Sequence, residues 1–188
     1  MLPIPNLIVI SSISILGLGF FITIFFVLKS KTGLWGEPSI APVLFYSGKI
    51  SMYICWGLAL IKAIFPKFGG DDVPIWMTWP GAILFAISSV ILLITFYDLG
   101  SSLKYGLPDK DTRLVKSGLY RFSRHPLYVG VFLISFSSVI FFPNIINILV
   151  AAYCCTTHYF MIIEEDNFLA TRFGAEWEEY KNQVGRFL

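Results

Sequence analysis

The 188-residue chain is 56% hydrophobic and 17% aromatic, with 14% charged residues and a formal net charge of +2, whereas soluble domains carry about a quarter charged residues. A mean hydropathy of +0.72 is more apolar side chain than a globule of this length can hide, which excludes an ordinary soluble domain and a disordered chain; the small net charge excludes a nucleic-acid binder with a basic field. Cys55, Cys154 and Cys155 lie in apolar stretches without a C-x-x-C pair and make no disulfide framework.

The composition predicts an all-α integral membrane protein, a single domain over 1–188 with about five transmembrane helices. Residues 1–28 contain no Asp, Glu, Lys or Arg, and the run 7–28 exceeds the roughly 20 residues that cross a bilayer. Lacking a basic n-region, it reads as a retained span rather than a signal peptide. A second span is expected over 42–65, with Lys49 and Lys62 toward its ends and able to snorkel to the headgroups. The third, 76–97, opens on Trp76 and Trp79 and closes on Tyr97 and Asp98, interfacial residues at both ends. From His125 to Ile163 the only ionisable side chains besides cysteine and tyrosine are two histidines. That stretch suits two short spans, 126–142 and 145–163, folded as a hairpin at Pro143-Asn144.

Basic residues follow the odd-numbered spans: Lys29 and Lys31; Lys104, Lys110, Arg113, Lys116, Arg121 and Arg124; and Arg172, Lys181 and Arg186. The positive-inside rule then places the N-terminus outside and the C-terminus in the cytoplasm, with the loop 66–74 and its Lys67, Asp71 and Asp72 outside.

Most charge falls in two cytoplasmic segments, 98–124 and 164–188, which flank the hairpin and must emerge close together. In the first, Pro126 suits a first helical position, so His125 sits at a helix mouth whose free N–H groups and dipole favour an anion. The second opens on Glu164-Glu165-Asp166. Its apolar positions Leu169, Phe173, Trp177, Tyr180 and Val184 then recur every three or four residues, the mark of an amphipathic tail folded back on the bundle. Gly174 is expected to split it into two short helices. Singly, each feature has a plainer reading: Arg124 as a lipid-phosphate contact, the acids as a solvated helix end, the tail as a membrane-surface helix. Cys154, Cys155 and His158 share a face but lack a fourth ligand, and no metal is expected.

Taken together, L-V-x-x-G-x-Y-x-x-x-R-H-P-x-Y-x-G (Leu114, Val115, Gly118, Tyr120, Arg124, His125, Pro126, Tyr128, Gly130) and the later Glu164, Glu165, Leu169, Phe173, Gly174, Trp177 and Tyr180 resemble the isoprenylcysteine carboxyl methyltransferase family, which is related to phospholipid methyltransferases. The resemblance covers 112–188. It implies an S-adenosylmethionine-dependent membrane methyltransferase with a lipidic or prenylated acceptor entering from the bilayer. It further implies a cofactor pocket formed by Arg113, Leu114, Val115 and Tyr120, by His125, Pro126, Leu127 and Tyr128, and by Glu164 and Glu165. No acid–base residue is required for methyl transfer from a sulfonium.

One position departs from the family. Where its members carry an arginine that orients the substrate carboxylate, this chain has Met161, which leaves a prenylcysteine, another lipid carboxylate, an amine or a phenol as acceptor classes. Arg124 and Arg172 are the candidate replacements, and Lys49 and Asp98 candidate liners of an acceptor channel. The alternatives are a phospholipid amine N-methyltransferase, which shares the R-H-P-x-Y and E-E segments, and an NADPH-dependent sterol-type reductase, which shares the Trp and Tyr of the tail. A non-catalytic assembly or transport factor is the remaining class.

Overall fold

Helices form where the apolar segments predict them: α1 (Ile4–Lys29), α2 (Pro42–Ile64), α3 (Ile75–Leu99), α4 (Pro126–Phe141), α5 (Ile145–Phe173) and the short α6 (Ala175–Gln183). This computed structural model describes residues 2–29, 34–70, 73–107 and 113–187. Lys31, Asp71, Asp72, Lys110 and Thr112 lie outside the described residues. Isolated backbone bridges pair Trp35 with Tyr105 and Glu37 with Leu107, tying the approach to α2 to the exit from α3.

The chain is an all-α integral membrane protein. Four of the helices, α1, α2, α3 and α5, are long and apolar enough to cross a membrane, and their large apolar side chains face outward; Phe21 on α1 is 71% exposed. The interior is correspondingly rich in small polar residues, because lipid gives no hydrophobic drive for helix association and close packing and hydrogen bonds must supply it. Ser137 Oγ donates to the Gly81 carbonyl at 2.9 Å and Ser138 Oγ to that of Cys55 at 2.8 Å. A Cβ at Gly81 would stand 2.8 Å from the Phe141 backbone nitrogen, so only glycine lets α3 and α4 approach this closely. The hairpin turn is fastened by Asn144, whose Oδ1 caps α5 by accepting from the Ile146 N–H at 2.9 Å. Asn147 Nδ2 donates to the Ser138 and Phe142 carbonyls.

The fourth helix positions the site. With 16 residues it is about 24 Å long, short of the roughly 30 Å hydrocarbon core. It is tolerated because α2, α3 and α5 pack around it and it does not have to satisfy the full lipid thickness by itself. At its N-terminus His125, Leu127 and Tyr128 line a pocket.

Two expectations differ from what forms. The segment after residue 163 is no separate helix: α5 runs unbroken for 29 residues to Phe173, since nothing in 164–173 breaks a helix, and it stops where Gly174 adopts φ +51°. The two lysines of α2 also turn inward instead of snorkelling. Lys62 is buried and donates to the Phe68 carbonyl at 3.1 Å. Lys49 Nζ lies 5.5–5.6 Å from the ring centres of Phe45, Tyr105 and Tyr128, a cation stabilised by aromatic faces.

Candidate functional site

The segment 113–125 is pinned at both ends. Asp98, at the end of α3, accepts a hydrogen bond from the Leu119 N–H at 2.8 Å. Gly118, which opens the 3₁₀ turn Gly118–Arg121, has φ +60°, and a Cβ there would overlap the Asp98 carboxylate. Gly118→Ala is therefore expected to cost at least about 1–2 kcal/mol from the backbone conformation alone and to loosen 113–121. A lowered thermal midpoint of the purified variant, larger than that of Asp98→Ala, checks this. Further along, the Tyr180 hydroxyl on α6 donates to the Tyr120 carbonyl at 2.6 Å. Burial pushes its phenol up to about 12, with Arg124 opposing. A phenol raised in this way stabilises the fold fully below its ordinary value near 10, and the contribution is lost as pH climbs from there through 12. Tyr180→Phe should cost about 0.5–1.5 kcal/mol at neutral pH and flatten the loss of stability measured between pH 10 and 12.

At the other end, a buried ionic cluster joins the mouth of α4, the C-terminal part of α5 and the tail. Asp166 receives His125 Nε2 on Oδ1 at 2.7 Å and Arg186 Nε on Oδ2 at 2.9 Å, with Arg124 Nη2 at 3.8 Å. Two more bonds hold the tail across the site: the Arg124 N–H to the Gly185 carbonyl at 3.0 Å and Ser123 Oγ to the Arg186 carbonyl at 3.2 Å. Arg124 is itself buried, with its guanidinium carbon 5.4 Å from the Trp177 ring centre, yet its Nε and Nη1 have no hydrogen-bond partner. Buried donors left unmade cost free energy, so they point to an acceptor that the chain does not supply.

These groups surround a pocket of about 910 Å³, its open mouth included. Of the residues singled out in the sequence, Arg113, Leu114, Val115, Tyr120, Arg124, His125, Leu127, Tyr128 and Glu165 line it. Three do not. Glu164 is exposed, because successive residues turn by about 100° around α5, so Glu165 faces the pocket and Asp166 the ionic cluster. Pro126 is buried as the first residue of α4, a structural position. Arg172 packs its guanidinium on Phe173, 5.1 Å from the ring centre, so of the two candidate substrate-orienting arginines only Arg124 lines the pocket. Met161 is fully buried among Phe45, Tyr128 and Ile162, beside Gly48 of α2, and faces no open space. Near it, His158 is buried with Nδ1 donating to the Cys154 carbonyl at 2.8 Å; the described residues contain no group of His, Cys, Asp and Glu able to hold a metal.

Sequence reasoning left several site residues without a role. Trp177 and Tyr180 read as an apolar stripe but form a pocket wall. Asp166 read as one of three equivalent acids, and Arg186 as a topology charge. Helical phase separates the three acids; only the folded tail reveals Arg186.

The family model described as phospholipid methyltransferase matches residues 76–176, more than half of the chain and most of the residues that line the pocket. The chain belongs to the phospholipid methyltransferase family. It is also similar to two proteins named protein-S-isoprenylcysteine O-methyltransferase: one from Dictyostelium discoideum, 28% identical over 110 residues, and one from Saccharomyces cerevisiae, 29% identical over 109 residues. Each similarity covers 56% of this chain and 46% of the relative, so the chain spans about half the length of these curated relatives. The matches to this methyltransferase family and the multi-helix architecture together make it a multi-pass membrane protein of a methyltransferase family.

Proposed function

We propose that this member of the family is an S-adenosylmethionine-dependent methyltransferase acting on a lipidic acceptor drawn from the membrane, with the pocket on the cytoplasmic side. The observation that carries the reading is the pairing inside one pocket of a buried arginine with two unpartnered donors and a half-buried carboxylate, Arg124 and Glu165. An amino acid moiety offers the complementary pair: its carboxylate suits the Arg124 Nε and Nη1 donors, and its ammonium suits Glu165. The N-terminal N–H groups of α4, at Leu127 and Tyr128, add a site for negative charge. Leu114, Val115, Leu127, Leu169 and Trp177 supply apolar wall on which an adenine ring can pack.

When bound, S-adenosylmethionine would supply an activated methyl group for transfer to the acceptor. The chain's part is to hold both partners in line and keep water out. His125 is committed to Asp166 through Nε2, so it fixes the mouth of α4 and does not act as a free base. The clustered basic residues after α1, α3 and α5 support cytoplasmic placement of the pocket and an outer N-terminus.

Incubating the purified protein in nanodiscs with methyl-labelled S-adenosylmethionine and a membrane lipid extract should move label into the organic phase. Transfer at a limiting concentration of the methyl donor should fall sharply in Arg124→Ala and Glu165→Gln. Label that never leaves the aqueous phase with any lipid extract overturns the proposal.

A further inference from the structure

A second, partly open space of about 600 Å³, its open mouth included, lies between α1, α2, α3 and α4. It shares Lys49, Leu103, Lys104 and Leu127 with the first pocket, so the two spaces meet at these residues. Its walls are apolar, from Phe20, Leu92, Phe96 and Val131. The helix α2 contributes Lys49, Met52, Tyr53 and Trp56, the i, i+3, i+4 and i+7 positions of one helical face. That face runs from a cation at the junction to an indole seven residues further on, about 10 Å deeper.

Both polar ends of this face lack an acceptor. Among the described residues Lys49 makes no hydrogen bond and no ion pair; three aromatic rings surround its ammonium. Trp56 Nε1 is buried without a partner. A lysine in a membrane-spanning helix is expensive and marks function by default. Met161, by contrast, is sealed against α2 and offers no charge to the cavity.

We propose that Lys49 determines acceptor specificity by binding the carboxylate of a single-chain acidic lipid, whose tail lies along the 49–52–53–56 face of α2 in this partly open apolar space. The inference rests on the methyltransferase reading above and names its acceptor class. A carboxylate at Lys49 stands at the junction of the two spaces, and it arrives already deprotonated, so the chain has only to position it. An ammonium head at the same place meets like charge, and a hydroxyl head gains no charge-assisted bond.

Equilibrium dialysis of labelled oleate, oleyl alcohol and oleylamine against the protein in neutral-lipid nanodiscs, corrected for empty discs, tests this. Oleate should bind about tenfold or more tightly than the other two. Lys49→Met should reduce oleate to the affinity of oleyl alcohol without changing the latter, and Lys49→Arg should retain the preference. Equal binding of oleate and oleyl alcohol to the natural protein, no saturable binding of any probe, or an oleate preference that survives Lys49→Met overturns the proposal. S-adenosylhomocysteine binding in the same discs separates the two levels: if it persists while head-group preference is absent, the Lys49 assignment alone fails, and if it is absent the methyltransferase reading fails.

Discussion

Asp166→Ala should be among the most damaging single substitutions in the chain. The carboxylate is buried and is the shared acceptor for His125 and Arg186, with Arg124 close by. Its removal leaves buried positive charge uncompensated, which typically costs about 3–5 kcal/mol. It also frees the tail, whose Arg186 is fastened to α5 through this residue. The variant is expected to show a much lower thermal midpoint and to lose S-adenosylhomocysteine binding. Asp166→Asn, which keeps an acceptor of similar shape, should be milder in stability. A midpoint for Asp166→Ala within experimental error of the natural protein would contradict the account of the ionic cluster.

The second large effect is expected at Arg124, and it is one of binding rather than folding. Two of its nitrogens already lack partners, so the free protein loses few bonds on truncation, whereas a bound carboxylate loses charge-assisted hydrogen bonds worth about 1.5–3 kcal/mol. Arg124→Ala should therefore weaken S-adenosylhomocysteine by roughly 10–100-fold. It should leave 5′-methylthioadenosine, which has no amino acid moiety, nearly unaffected. Arg124→Lys should not restore binding, because a point cation cannot reproduce the planar fork and its stacking on Trp177. Equal weakening of both ligands would move the carboxylate away from Arg124.

Much of the architecture was legible because lipid imposes simple rules. Uncharged runs of spanning length gave α1 and α3, and Pro143-Asn144 gave the hairpin. The R-H-P segment marked the start of α4, since proline suits a first helical turn. The extent of α5 was not legible: hydropathy ends at the acids, but a helix ends only where the backbone is made to turn, at Gly174. The inward course of Lys49 and Lys62 was hidden for a related reason. Snorkelling is the default for an isolated helix, and only the neighbouring aromatic rings and carbonyls, which come from distant segments, make the inward rotamer favourable.

The site was legible as a set of segments and less so as a set of contacts. The motif residues around Arg124 and Tyr120 did meet Glu165 in one pocket. Which of three consecutive acids faced the pocket depended on the rotation of α5, and the closing tail, with Arg186 on Asp166, had no local signature. The apolar periodicity that marked Trp177 and Tyr180 was sound, but the same stripe serves equally as a core contact and as a pocket wall.

The central claim is that the pocket bounded by Arg124, His125 and Glu165 holds the adenosyl methyl donor. Equilibrium binding of S-adenosylhomocysteine and of NADPH to the nanodisc protein, with Glu165→Gln in parallel, measures it directly. The account predicts saturable binding of the adenosyl ligand, weakened in Glu165→Gln, and no saturable binding of NADPH. Binding of NADPH with none of S-adenosylhomocysteine would contradict it and assign the pocket to reductive chemistry.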